Sequence, residues 1–247
     1  MRSAIDVNCD MGEGIGNDAL LMPLIGSANI ACGFHAGDES TIWDTIELAL
    51  KYNVNIGAHV SFLDRDNFGR NEMERSTAEI YELVTQQLLL IQDTANAQGA
   101  AVRHVKPHGA LYNMSARDVI VARTIAEAVR DFDHELILFG LSGSHSIAAA
   151  REIGLPVANE VFADRSYLDD GSLVPRSHPQ ALIADIDAML RQVRQFATQS
   201  TVTTINGHQL SMQADTICIH GDGTHAIGFA KAINDYFKQE NIDIKGK

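Results

Sequence analysis

Residues 5–14 read IDVNCDMGEG. Side chains alternate across an extended strand, so Asp6, Asn8 and Asp10 point one way while Ile5, Val7 and Cys9 point the other. A parallel strand covered by helices on both faces is apolar throughout; this one is polar on one side. The same alternation returns further on. Asn29, Gly33 and His35 oppose Ile30, Cys32 and Phe34, and Asn55, Gly57 and His59 oppose Val54, Ile56 and Ala58. Near 220, His220 and Asp222 share a side with Ile217 and Ile219 opposite. Each unpartnered buried polar group costs about 1–3 kcal/mol. A set recurring on strand after strand therefore marks a site, at the strand ends where barrels of this kind bind ligands.

Seven apolar runs read as strands: 4–10, 28–34, 54–59, 102–106, 136–141, 156–162 and 216–220. Segments of helical period lie between them. Ser40 is placed to cap the first, Ser76 with Glu79 makes a capping box, Ser115 with Asp118 and Ser177 with Gln180 open two more, and the last follows Asp222. Strand alternating with helix means parallel strands joined by right-handed crossovers. The expected fold is α/β, a closed seven-stranded parallel (β/α) barrel, with an open doubly wound sheet as the second choice. The 247 residues suit one such barrel, so a single domain over 1–247 is expected. A β-hairpin outside the barrel is expected near 201–211, where Asn206-Gly207 is a hairpin turn signal.

Acidic residues outnumber basic ones by 32 to 19, a net charge of −13. Nucleic-acid binding rests on neutralising phosphates, so nucleic acid is not expected as a partner, nor is an anionic membrane surface. A small anionic ligand remains compatible if the few cations gather where it binds. Cys9, Cys32 and Cys218 are far apart with no CxxC pair, which argues against a disulfide framework or a zinc ribbon. The first residues lack a signal pattern and no apolar run approaches about 18 residues, so the cytoplasm is the expected location.

The strand ends hold the chemistry. NCDMGEG carries Asp10 and Glu13; ACGFHAGD carries His35; HVKPHGALYN carries Lys106 and His108; NEVFADR carries Glu160, Asp164 and Arg165; HGDGTH carries His220 and Asp222. Long loops over 61–75 and 165–176 are of a length that commonly forms lids or binding loops. They bring Arg65, Arg70 and Arg176 to the same rim, so Arg65, Arg70, Lys106, Arg165 and Arg176 are all candidates to receive carboxylate or phosphate. The glycines at 12, 14 and 16 do not make GxGxxG, and neither GxxxxGK[ST] nor GxSxG occurs.

Together the segments IDVNCDMGEG, SANIACGFHAGD, IGAHVSF, NFGR, RHVKPHGALYN, EVFADR, DGSLVPRS and CIHGDG resemble the LamB/YcsF family, from Ile5 to Gly223. The resemblance implies a barrel akin to the polysaccharide deacetylases and a role as the A subunit of a bacterial 5-oxoprolinase. The implied reaction converts 5-oxo-L-proline, ATP and water to L-glutamate, ADP and phosphate, with two other subunits as partners.

ATP would be a co-substrate, since phosphorylating the amide oxygen makes it a leaving group. Such a site needs cations, a water-activating base and oxyanion donors. The expected catalytic residues are Asp10, Glu13, His35, Lys106, Glu160 and His220. His59, Arg70, His108, Arg165, Arg176 and Asp222 are expected to hold substrate or phosphate. In the deacetylase-like fold one aspartate and two histidines hold a divalent metal, and Asp10, His59 and His108 could match by position; that metal would activate water directly. A third reading makes the chain a non-catalytic, substrate-binding subunit.

Overall fold

A computed structural model describes residues 3–247. In chain order the elements are β1 (Ala4–Met11), a short α1 (Asp18–Leu21), β2 (Ser27–Ala31), α2 (Glu39–Tyr52), β3 (Asn55–Val60), α3 (Thr77–Ala97), β4 (Val102–Pro107), α4 (Gly109–Arg117), α5 (Val119–Phe132), β5 (Ile137–Leu141), α6 (His145–Glu152), β6 (Val157–Phe162), α7 (Ile186–Arg194), β7 (Thr201–Thr203), β8 (Gln209–Ser211), β9 (Thr216–Ile219), α8 (Ala226–Gln239) and β10 (Asp243–Ile244).

Seven parallel strands run β1-β2-β3-β4-β5-β6-β9, and β9 pairs back to β1 from Asp6↔Thr216 to Cys9↔Ile219. That last pairing closes the barrel and removes the open-sheet alternative. β10 adds in parallel to the start of β1, through Ala4↔Asp243 and Ile5↔Ile244, at the end of the barrel away from the long loops. The alternation read in β1 orients the wall. Val7 and Cys9 belong to the continuous apolar core. On the other side, Asp6 accepts from the Ser27 and Thr216 hydroxyls at 3.0 and 2.6 Å, inside the cylinder.

The helix starts show where local pattern and tertiary structure part. Ser76 and Glu79 form the expected capping box on α3. Ser40 does not cap α2; Asp38 does, accepting from the Thr41 amide at 2.8 Å, because the helix begins two residues earlier, at Glu39. Asp118 caps α5, whereas Ser115 lies within α4, a separate helix that starts on Gly109 directly after β4. Nothing helical follows Ser177: the segment stays irregular until Asp185 caps α7. Strand β2 is shorter than expected and ends at Ala31, so Gly33 and His35 sit in its following loop.

The hairpin near 201–211 is present as β7 and β8, with Gly207 at φ +84° in its turn. It also has a structural task. Asp169, in the loop after β6, accepts from the Thr204 hydroxyl at 2.5 Å and the Asn206 amide at 2.9 Å. The Tyr167 carbonyl takes the Ile205 amide at 3.0 Å. The loop over 165–176 is thus strapped to the hairpin, and the Phe162 amide donates to the Tyr167 hydroxyl at 2.7 Å. Among the described residues no helix is long and apolar enough to cross a membrane.

Candidate active site

Lys106 is the centre of the barrel's polar interior. It projects from β4, yet its ammonium reaches strands that are not neighbours of β4. Nζ lies 2.8 Å from Asp10 Oδ1 on β1, 2.9 Å from Glu160 Oε1 on β6 and 3.1 Å from Cys218 Sγ on β9. Lys106 is 2% exposed. Burial alone drives the ammonium's pKa down, but Asp10, Cys218 and Glu160 outweigh it and hold the pKa well above the usual lysine value. Burial pushes Asp10 up; His59 and Lys106 outweigh it in turn and hold that carboxyl well below the usual range. Two carboxylates against one ammonium leave this buried centre acceptor-rich.

A polar ladder beneath fixes the orientation of Asp10. His104 Nε2 meets Asn29 Oδ1 at 2.8 Å, so the Asn29 amide nitrogen is turned to donate to Asn8 Oδ1 at 2.7 Å and to Asp10 Oδ1 at 2.8 Å. The His104 ring occupies space that a side chain on β3 would fill: a Cβ on Gly57 would stand 2.0 Å from His104 Nε2.

Beside Asp10 lie Glu13, His35, His59 and His108, whose ligand atoms all fall within 4.8 Å of one another. Their hydrogen bonds decide their tautomers. His59 Nδ1 meets the Lys106 carbonyl at 2.9 Å and His108 Nε2 meets the Phe68 carbonyl at 2.9 Å. Carbonyls only accept, so both of those nitrogens carry protons. The Ser61 hydroxyl donates to the Phe62 carbonyl at 3.0 Å and so accepts from His35 Nδ1 at 2.9 Å. In the neutral rings the remaining nitrogens are therefore bare. Yet His59 Nε2 faces His108 Nδ1 at 2.9 Å, and His35 Nε2 faces Glu13 Oε1 at 3.2 Å. Lone pair opposed to lone pair at these distances needs a proton or a cation between. Burial lowers the pKa values of His35 and His108 and raises that of Glu13. Three imidazole nitrogens and one carboxylate, each nitrogen oriented by a partner on its far side, fit a borderline divalent metal ion. This convergent set differs from the Asp10, His59, His108 set expected from sequence. Asp10 Oδ1 is 3.4 Å from His59 Nε2, but that oxygen is already taken by Lys106 and Asn29.

The cluster is held from above. His35 and His108 stack at 3.9 Å, and Phe68 stands edge-on to both. Phe68 takes a left-handed backbone at φ +56°, a conformation that a bulky residue keeps only when its surroundings enforce it. Its strain aims the carbonyl at His108. Gly109 lets α4 begin against this loop, since a Cβ there would lie 2.4 Å from the Gly69 carbonyl oxygen.

His220, just past β9, meets Asp164 Oδ1 through Nδ1 at 2.9 Å and stacks on Phe162. Burial raises the Asp164 carboxyl, but His220 outweighs this and holds it below its ordinary value. Arg70 pairs with Asp222 at 2.5 Å and lies 4.9 Å over the Phe68 ring. Arg165 and Arg176 line, with Asp10, His59, Lys106, His108 and His220, a cavity of about 810 Å³ at the carboxyl ends of the strands. Arg65 departs from expectation: its Nη1 is used on the Gly33 and Gly37 carbonyls at 2.6 and 2.8 Å, fixing the loop after β2, and the residue is not among those lining the cavity.

A model of the LamB/YcsF family matches residues 5–247. The chain belongs to this family. Among its relatives, a Bordetella pertussis protein named as the A subunit of 5-oxoprolinase is 48% identical, with 99% of both chains covered. The protein of that name from Staphylococcus aureus strain Newman is 46% identical over 98% of each. The crystal structure of the lactam utilization protein from Thermus thermophilus superposes with a TM-score of 0.92 at 37% identity, covering 99% of this chain and 100% of that one. A mutant of a CE4-family pseudoenzyme shares the fold at a TM-score of 0.51 and 9% identity, over 99% of this chain and 66% of its own.

In this LamB/YcsF member, sequence reasoning misses His104 and the turn at Ser142–Ser144, and gives Asp164 no role. His104 is legible: it shares the alternation of Lys106 and so faces the interior. The Ser142–Ser144 turn and the pairing of Asp164 with His220 give no comparable signal, because loops have no fixed period.

Proposed function

We propose that this chain is the lactam-opening subunit of a multi-subunit 5-oxoprolinase, hydrolysing the ring amide of 5-oxo-L-proline to L-glutamate. The observation that carries this reading is the Asp10–Lys106–Glu160 centre beside the convergent imidazoles, with Asp10, Lys106, His59 and His108 on the wall of one cavity, in a chain whose relatives bear that name. An unstrained lactam carbonyl is a poor electrophile. Lys106 directs its three protons at Asp10, Glu160 and Cys218 and so fixes the carboxylates that face the ring amide. Asp164 holds the Nδ1 proton of His220, which leaves Nε2 as the base for an attacking water. The Glu13, His35, His59, His108 set would hold a divalent ion, which would polarise the carbonyl or acidify water. Coupling to ATP, through phosphorylation of the amide oxygen, is part of the proposal and is assigned to the assembled complex with its two other subunits.

A second reading has a specific observation in its favour. The opposed lone pairs of His59 and His108 support metal-assisted amide hydrolysis without nucleotide. A third leaves this chain to bind substrate only. Glutamate and phosphate release separates them, measured for the purified chain with and without ATP, with a chelator, and with the two partner subunits. Activity only in the mixture and only with ATP supports the shared enzyme, and its loss with His220→Asn while 5-oxo-L-proline still binds excludes the third reading. Nucleotide-independent, chelator-sensitive hydrolysis of 5-oxo-L-proline by the chain alone replaces it with the second reading.

A further inference from the structure

The cavity has two unlike arcs. The arc formed by the ends of β1, β3 and β4 carries Asp10, His59, Lys106 and His108. The arc after β5 and β6 carries Ser142–Ser144, Arg165 and Arg176. These two loops are neighbours, since β5 and β6 pair and the Ser142 amide donates to the Glu160 carbonyl.

Charge pairing on the cavity wall is uneven. Lys106 has Asp10 and Glu160, Arg70 has Asp222, and Arg117 has Glu72 at 2.6 Å. Asp170, also on the wall, is occupied by the Ser172 amide and hydroxyl. Among the described residues no carboxylate oxygen lies within 4.0 Å of a side-chain nitrogen of Arg165 or Arg176. Arg165 is 5% exposed, and its Nε and one terminal nitrogen are fixed on the Ala181 and Val174 carbonyls at 3.3 and 2.7 Å. Burial and then the neighbouring Arg176 lower its pKa to about 10. A chain of net charge −13 thus holds two adjacent guanidinium groups at one cavity wall with no carboxylate in ion-pair contact; Asp164, itself paired with His220, acts on Arg165 only at longer range. The same wall includes the start of α6, where the Ser144 hydroxyl makes no cap and its oxygen has no partner.

We propose that Arg165, Arg176 and the amino end of α6 form an oxyanion subsite that takes the carboxylate of a small cyclic amide acid while its ring amide faces Lys106 and the imidazoles. This deepens, and rests on, the lactam reading above. A guanidinium recognises carboxylate in a planar fork, and a helix amino terminus favours the same charge. The subsite makes the chain specific for lactams that bear a carboxylate over the bare ring.

Calorimetric binding to the purified chain tests this with 5-oxo-L-proline, uncharged 2-pyrrolidinone and inorganic phosphate. Arg176 is exposed at the rim, so Arg176→Gln leaves the fold intact, checked by its melting temperature; Arg165→Lys keeps charge but loses the fork. The expected result is binding of 5-oxo-L-proline at least tenfold tighter than 2-pyrrolidinone. Each variant should lose at least tenfold for the acid and nothing for the bare ring. Equal affinities for the two lactams, unmoved by Arg176→Gln, overturn the subsite while leaving the lactam reading standing. If neither lactam binds but phosphate does, in an Arg176-dependent way, the oxyanion subsite stands with a phosphoryl group as its source, and the lactam reading falls. No Arg176-dependent binding of any of the three overturns the subsite.

Discussion

His59 Nε2 stands 2.9 Å from His108 Nδ1, and the carbonyls of Lys106 and Phe68 have already claimed the protons on the far sides of both rings. That contact is repulsive between neutral imidazoles. Chelator-stripped protein titrated with Zn²⁺ should therefore bind one equivalent with a rise in melting temperature, and His108→Gln should lose at least tenfold in affinity. Absence of heat and of any thermal shift in the parent protein would remove the metal from the mechanism.

Lys106→Met should be severely destabilised as well as inactive. Removing one partner of a buried ion pair costs about 3–5 kcal/mol, because the charges left behind are unpaired. In the parent protein the depressed Asp10 pKa contributes stability that is present above the unfolded value and lost on acidification. The variant lacks that contribution, so the gap between the two urea midpoints should hold level from pH 7.5 down to about pH 4 and narrow only below it, as acid protonates Asp10 in the parent. A gap that stays constant below that point would show that Asp10 is not ionised through Lys106.

At the other end of the barrel, burial raises Asp6 to about 7, with the Thr216 and Ser27 hydroxyls offsetting part of the effect. An unfolded aspartate titrates near about 3.9. The folded chain therefore keeps a proton that the unfolded chain gives up, and this carboxyl's contribution to stability falls as pH rises between those values. The loss amounts to at most ~4 kcal/mol. Asp6→Asn does not titrate, so its stability relative to the parent should climb from pH 4 to pH 7 and then level off. A pH-independent difference in denaturation midpoints would contradict the assignment.

Gly57→Ala should fail for want of space, since its Cβ would overlap the His104 ring. Overpacking of this kind costs about 1–3 kcal/mol or more. The double variant Gly57→Ala with His104→Ala should recover part of that loss, a coupling that a mutant cycle in urea measures. Strict additivity would mean that the ring is not the obstacle.

The barrel and much of its polar interior are readable from alternation. A strand has a period of two, so Asp6, Asn8 and Asp10 must share a face, and the same rule puts His59 in the interior, where it lies. What the pattern misses lies beyond strand ends. His35 sits in the loop after β2 and reaches the cluster by a turn, and Arg65 folds onto the Gly33 and Gly37 carbonyls instead of the cavity. Helix starts are ambiguous where two capping residues stand close together, as at Asp38 and Ser40. The Glu13 contribution to the imidazole cluster depends on ring tautomers, which are set by carbonyls distant in sequence. The family resemblance supplies the chemistry that no spacing could.

The strap between Asp169 and the turn at Thr204–Asn206 links a surface hairpin to the wall that carries Arg165 and Arg176. Selection for ligand choice can therefore act on residues that no ligand touches. Drift at 169 should be matched by compensating change at 204 or 206, and engineering that trims this ornament should alter substrate preference before it alters folding.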